Sequence, residues 1–477
     1  MRQEKRFVAS LKRSAERRFC YAVEKAAKER KKSVKEQKKF GVISLGCDKN
    51  RVDSEKCIAV LQERGYILTN DVEEAQIVVI NTCAFLQSAR EESVDTVLDT
   101  AGYKNGRLEK IVVTGCLPQK YSDELFPSLT EGDVFLGIND YDLLSDALEE
   151  AYMSGERVNL VGKGADSFRF ARTLTTAPYL AYLKIADGCF NKCTYCLIPK
   201  IRGKYRSYPM EKLLAEAAAL GDVNELVLVA QDTTRYGEDL YGENRFVELI
   251  RSISKLNNIR SVRLLYCYPD AFSEELIQEI KTNDKVIKYV DIPLQHSENR
   301  ILKLMNRRGK RAEYLDLIGR LKTEIPGIAI RSTFIAGFPS ETEEDCEATK
   351  EFLRQAELFN CGFFAYSREP DTAAARMKNQ VHHMTKARRV KELYAVQKQV
   401  SERLLTPFVG KTVRVLCEGI DYDRQAFFGR AYFSAPEIDG KVYFNASEAE
   451  EGEYYDVLIT AVETPDLIGR TLDFEKV

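Results

Sequence analysis

Apolar positions between residue 40 and about residue 141 gather into short β-branched runs separated by longer amphipathic stretches. The runs are Val42-Ile43-Ser44-Leu45-Gly46-Cys47, Ile77-Val78-Val79-Ile80-Asn81-Thr82-Cys83 and Ile111-Val112-Val113-Thr114-Gly115-Cys116. Near-continuous runs with helical patterns between them predict buried parallel strands, and so an N-terminal parallel α/β domain over 40–160. The same alternation returns on a larger scale over 170–405. Strands are predicted at 182–186, 225–230, 262–266, 287–292, 328–335 and 361–366, six units that suggest a partial (β/α)6 barrel. From Thr406 the pattern changes to short runs with Gly and Asp turns, at 411–417, 426–432, 441–444, 454–462 and near Arg470. Five such strands predict a small antiparallel β-barrel over 406–477.

Length and charge add limits. The chain has 477 residues, enough for about three domains with buried cores. A net charge of −2 gives no whole-molecule attraction to nucleic acid, and no DNA partner is expected. No run of about 18 apolar residues and no apolar signal-peptide core are present, so the expectation is a soluble cytoplasmic protein without a membrane partner. Twelve cysteines in such a setting are expected to be thiols or metal-cluster ligands rather than disulfides. Residues 1–39 stand apart as a basic extension, disordered or helical. The first 40 residues hold fifteen Lys or Arg against five Asp or Glu, which suits a ribosomal RNA contact or an extension without function. The last 72 residues are acidic, with fourteen Asp or Glu against seven Lys or Arg from 406 onward. That surface should repel phosphate and attract a basic protein, or simply be solvated.

The residues that carry chemistry are cysteines. Cys189, Cys193 and Cys196 form C-x3-C-x2-C directly after the first strand of the middle region. Three thiolates on one loop can hold three corners of a 4Fe-4S cube and leave the fourth iron open to a small molecule. A zinc knuckle would need a fourth close ligand, yet the three histidines, His296, His382 and His383, all lie elsewhere. A second triad is suggested by position. Cys47, Cys83 and Cys116 each end one of three successive strands, and ligands of open α/β sheets collect at strand carboxyl ends. One such cysteine alone would more often be an inert buried thiol, as Cys57 inside a predicted helix is expected to be. At the strand ends of the barrel stand Gln231 and Asp232, Gln295 and His296, and the segment Gly337-Phe338-Pro339-Ser340-Glu341. Ser340 with Glu343 has the spacing of a capping box for the next helix, and the glycine permits close backbone approach. His296 reads as a loop or packing histidine.

The C-x3-C-x2-C loop with Tyr195 before its third cysteine resembles the radical S-adenosylmethionine (radical SAM) superfamily. That resemblance implies that SAM chelates the open iron and is cleaved to a 5′-deoxyadenosyl radical, with Tyr195 at the position that meets adenine. Gln231, Gln295, Arg331 and Gly337 are expected SAM or neighbouring contacts by their place on the barrel. The chain after residue 40 resembles the methylthiotransferases of this superfamily, in the branch that modifies a ribosomal protein. The resemblance is carried by Ser44 to Cys47 with Lys49, Asn50, Asp53, Ser54 and Glu55; by Asn81-Thr82-Cys83 and Thr114 to Gln119; and by Ile198 to Ser207, Gln231 to Gly237 and Ala435 to Gly440. Gln231-Asp232, where the tRNA-modifying branch usually has Gln-Asn, favours the ribosomal branch. The family implies a C-terminal TRAM domain and two 4Fe-4S clusters, on Cys47, Cys83 and Cys116 and on Cys189, Cys193 and Cys196. It also implies transfer of a methylthio group to the β-carbon of one aspartate in protein twelve of the small ribosomal subunit, free or on the ribosome. SAM would serve twice, as methyl donor and as radical source, with electrons from a donor such as flavodoxin or ferredoxin. The rivals are a tRNA methylthiotransferase acting on a modified adenosine, which would need a basic RNA-binding surface, and a non-enzymatic iron-sulfur or zinc scaffold. The basic extension and Asp48 depart from the family pattern without touching the ligand set.

Overall fold

The computed structural model describes residues 38–164 and 171–474. All but the last two residues of the basic extension therefore lie outside the described residues. The chain forms two compact units, one of residues up to Ala84 with Ala89–Thr173, the other of Phe85–Ser88 with residues from Leu174 onward.

The first unit is a six-stranded sheet. Its strands are β1 (Lys39–Ser44), β2 (Ile67–Leu68), β3 (Ile77–Thr82), β4 (Lys110–Gly115), β5 (Val134–Phe135) and β6 (Val158–Asn159), in the order β2-β1-β3-β4-β5-β6. Every pairing is parallel. Alternate residues of the central strands enter separate cores on the two faces: Val79 and Val112 join Phe40 and Leu61, while Val78, Ile80, Ile111 and Val113 join Val97 and Leu108. Burial on both faces explains why these strands read as unbroken apolar runs. The chain leaves β1 toward β2 and then crosses to β3 on the other side. That reversal puts a topological switch point between β1 and β3, where such sheets open a crevice at their carboxyl ends.

The second unit combines the expected central and C-terminal regions. β7 (Leu180–Lys184) leads into a short antiparallel pair, β8 (Ala186–Asp187) with β9 (Arg206–Ser207). Then follow β10 (Glu225–Val229), β11 (Val262–Leu264), β12 (Val286–Asp291), β13 (Ala329–Ala336) and β14 (Asn360–Ala365). Together with β7 they make a parallel sheet of order β14-β13-β12-β11-β10-β7. All six predicted strands are present. The C-terminal strands β15 (Thr412–Asp421), β16 (Ala426–Arg430), β17 (Val442–Asn445), β18 (Tyr454–Glu463) and β19 (Asp466–Thr471) close into a barrel. Its pairings are antiparallel apart from β17 with β19, which is parallel.

Buried ion pairs tie the small barrel to the parallel sheet. At the start of β10, Glu225 accepts from Arg263 at 2.6 Å and from Arg430 of β16 at 3.1 Å. Asp439, in the Ala435 to Gly440 turn, accepts from Tyr289 Oη at 2.6 Å and from Arg331 Nε at 3.3 Å. Charges removed from water at this depth are tolerable only when paired and hydrogen-bonded, and each of these has its partner across the contact between barrel and sheet. No disulfide joins any described cysteine. Among the described residues no helix is long and apolar enough to cross a membrane.

Candidate functional site

The first triad sits at the switch point. Cys47 follows β1 and precedes the helix Asp48–Glu63, Cys83 follows β3, and Cys116 opens the helix Cys116–Ser128 after β4. One buried side chain, Asn50, reaches all three strand ends. Its amide donates to Leu45 O at 2.9 Å and Thr82 O at 3.0 Å, and its Oδ1 lies 3.7 Å from Cys116 Sγ. Asn81 Nδ2 in turn donates to the Asn50 carbonyl at 2.7 Å and to Ser54 Oγ at 2.9 Å, and Ser54 donates to Ser44 Oγ at 2.8 Å. A buried network with its members mutually satisfied holds a unique arrangement. Gly46 marks how close the chain segments come, because a Cβ there would stand 3.0 Å from Cys83 Cβ and 3.2 Å from its Sγ. Gly115 has φ +98° and leaves no room for a side chain, with Asn81 Oδ1 2.2 Å from the place its Cβ would take. Cys57, in the middle of the Asp48–Glu63 helix, is buried in the sheet's core as expected of a structural thiol.

The second triad lies on the loop between β8 and β9. Asp187, the last residue of β8, takes Arg202 Nη1 on both carboxylate oxygens at 3.0 Å, Lys184 Nζ at 3.1 Å and the Gly188 N–H at 2.9 Å. Its burial opposes ionisation, yet the two cations beside it prevail and hold its pKa far below the usual carboxylate range. This clamp joins the entry of the cysteine loop to the Ile198–Ile201 helix that follows it. Within the loop the N–H of Asn191 points to Cys189 Sγ at 3.3 Å and that of Ile198 to Cys196 Sγ at 3.4 Å. Burial pushes the Cys189 thiol up to about 11 and the Cys196 thiol further. As thiols both would stay protonated at neutral pH; a coordinating metal deprotonates them outright.

The residues around this loop fit a cluster and its ligand. Gln231 Oε1 and Arg307 Nε are buried polar atoms with no hydrogen-bond partner, the kind of loose end that a bound group satisfies. A single zinc ion, about 2.3 Å from each thiolate, demands tightly gathered ligands. Among the described residues no group of three His, Cys, Asp or Glu is arranged to hold a metal ion, and this includes the cysteines of both triads. A cubane distributes its ligands over separate irons, and three cysteines on one loop suit it.

The remaining sequence-expected residues have definite places. The Tyr195 ring packs edge-on against Phe338, ring centroids 6.4 Å apart, in an apolar cluster with Met305 and Tyr366. Gln295 has a left-handed φ of 72° and bridges to β13 through its N–H to Thr333 O and its carbonyl from Ile335 N, at 2.7 and 2.8 Å. Arg331 is committed to ion pairs with Asp291 at 3.0 Å and Asp439 at 3.3 Å. At Gly337 the N–H groups of Gly337 and Phe338 donate to Glu341 Oε2 at 2.7 and 3.1 Å, so these two amides are taken within the protein. The capping box expected from Ser340 and Glu343 is instead formed by Thr342 and Asp345. Ser340 has φ +70°, which is incompatible with the extended backbone of an N-cap. His296 lies buried, 3.5 Å from Glu341.

Sequence reasoning gave no role to Asp187 or Arg307, and named Glu341 only as part of the segment after the fifth strand. Arg307 stands in the basic stretch Arg307-Arg308-Gly309-Lys310-Arg311, whose charges look solvated in sequence, and no local pattern marks the buried partners of Asp187.

Comparison with known proteins accounts for most of the chain. Residues 39–137 match the uncharacterized protein family UPF0004, 183–353 the radical SAM superfamily and 409–472 the TRAM domain. The chain is 44% identical over 438 residues to the ribosomal protein uS12 methylthiotransferase RimO of Lachnoclostridium phytofermentans, covering 90% of this chain and 99% of that protein. RimO of Acetivibrio thermocellus is 42% identical over 92% of this chain and 99% of its own length. RimO of Clostridium novyi is 43% identical over 91% and 98%.

Proposed function

The chain belongs to the RimO family of radical SAM methylthiotransferases, and we propose that it adds a methylthio group to the β-carbon of one aspartate of ribosomal protein uS12. The reading uses two 4Fe-4S clusters and two SAM per turnover, in the cytoplasm, with electrons from a flavodoxin- or ferredoxin-class donor. Two observations support it: Asn50 links the ends of the three strands that Cys47, Cys83 and Cys116 follow, and the Asp187–Arg202 pair spans the loop that carries Cys189, Cys193 and Cys196.

Cys189, Cys193 and Cys196 would hold one cluster and Cys47, Cys83 and Cys116 the other. Clusters with an open iron supply a coordination position and an electron, which the protein's own side chains lack. The chain positions these sites and limits water. The Asp187 clamp fixes the loop, Tyr195 and Phe338 wall the site with apolar surface, and Gln231 Oε1 offers an unpaired acceptor. The acidic small barrel suits a basic ribosomal protein as substrate, since opposite charge speeds and orients encounter.

Cys193→Ala should abolish SAM cleavage, whereas Cys83→Ala should retain some cleavage without methylthiolation. Methylthiolation in either variant would contradict the assignment.

A further inference from the structure

Arg307 is a buried cation without a carboxylate. It is 8% exposed, and among the described residues no Asp or Glu oxygen lies within 4.0 Å of its guanidinium, whereas its neighbour Arg308 pairs with Asp270 at 3.5 Å. Around Arg307 stand a carbonyl, a thiol, the Tyr314 hydroxyl and aromatic rings but, among the described residues, no carboxylate. Nη2 donates to Pro293 O, Nη1 lies 3.9 Å from Cys193 Sγ, the guanidinium sits 4.2 Å from the Tyr268 ring centroid, and Nε has no partner.

The placement is held by the backbone. Thr194 N donates to Met305 O at 3.0 Å, Thr194 Oγ1 to Leu304 O at 2.9 Å and Asn306 Nδ2 to Lys192 O at 2.9 Å. Three hydrogen bonds thus lash the segment carrying Arg307 to the cysteine loop, on either side of Cys193. A buried charge left unpaired is costly, and natural structures pair it or give it a bound ion. A 4Fe-4S cluster on three thiolates is anionic, and it gains a further negative charge on reduction.

We propose that Arg307 is the fixed counter-charge of the cluster on Cys189, Cys193 and Cys196, and that it favours the one-electron-reduced state of that cluster. The inference rests on the cluster reading given above. A cation a few ångströms away in a low-dielectric site stabilises the more negative of two charge states. The electron comes from an external reductant, and no bond in the protein is made or broken.

The test uses the full chain carrying Cys47→Ala, Cys83→Ala and Cys116→Ala, reconstituted with iron and sulfide, so that one cluster is read alone. Its midpoint potential is followed by electron paramagnetic resonance during titration with dithionite and photoreduced deazaflavin, in this parent and with Arg307→Gln, Arg307→Met or Arg307→Lys added. The neutral variants should shift the one-electron reduction equilibrium at least about tenfold toward the oxidised form, about 59 mV more negative, while the Lys variant stays near the parent. A smaller shift in a neutral variant that binds iron overturns the inference and leaves the cluster reading standing. A parent that takes up no iron overturns both. If the neutral variants lose iron and the Lys variant keeps it, the charge requirement is upheld; loss in all three shows a requirement for shape and overturns it.

Discussion

Arg202 donates through a single nitrogen, Nη1, to both carboxylate oxygens of Asp187 at 3.0 Å, and both side chains are almost fully buried. The contact spans the cysteine loop, from the residue two before Cys189 to the residue six after Cys196. Among the described residues, Arg202→Met leaves Asp187 with Lys184 as its remaining ion-pair partner. Breaking a buried pair typically costs about 3–5 kcal/mol, so thermal unfolding should occur at clearly lower temperature and iron retained at this loop should fall. Thermal denaturation and iron analysis of the purified variant check this; an unchanged iron content would show that the clamp does not shape the loop.

Asn50 offers a sharper substitution, because Asn50→Asp keeps the shape and removes the donors. Leu45 O and Thr82 O would then face a carboxylate oxygen instead of an amide. Unsatisfied buried polar groups cost about 1–3 kcal/mol each. The variant should lose about 2–6 kcal/mol of stability in urea denaturation and bind less iron at the switch-point triad, with the Cys189 loop unaffected.

Asp232 predicts a pH effect. Burial lifts its carboxyl to about 6, against Thr234, Arg235 and Asn191, which favour the ionised form. A carboxyl whose pKa is higher folded than unfolded binds more protons in the native state, so stability falls as pH rises from about 4 through about 6. Asp232→Asn removes that dependence. Urea denaturation at pH 4.5 and pH 7.5 should show the parent losing stability relative to the variant as pH rises, by about 2 kcal/mol.

The small barrel should be an energetic part of the second unit. Arg430→Met leaves Glu225 with Arg263 alone, and Asp439→Ala removes the acceptor shared by Tyr289 and Arg331. Calorimetry of the double variant should show the barrel melting separately from the parallel sheet, where the parent melts the two together. Coincident melting in the variant would mean that these ion pairs do not couple them.

The sequence made the strands legible because burial on both faces leaves no polar residue inside them, as in Ile77 to Ile80. It placed the cysteines well, since strand ends follow directly from strand assignments. The small two-residue strands β2, β5 and β6 were not visible, being too short to carry a period. The capping residue was missed by two positions because Ser340 and Thr342 both offer a hydroxyl, and only the backbone conformation separates them. Long-range partners were hidden for a different reason. Nothing local ties Arg331 to Asp439 or Asp187 to Arg202, and a charged residue in sequence reads as solvated until the fold removes its water.

The central claim is the substrate and the group transferred, and mass spectrometry of ribosomal protein uS12 tests it most directly. Peptides of uS12 from cells with and without the gene should differ by one methylthio group on a single aspartate. An unchanged uS12 peptide, with a methylthio adenosine lost from tRNA instead, would contradict the account.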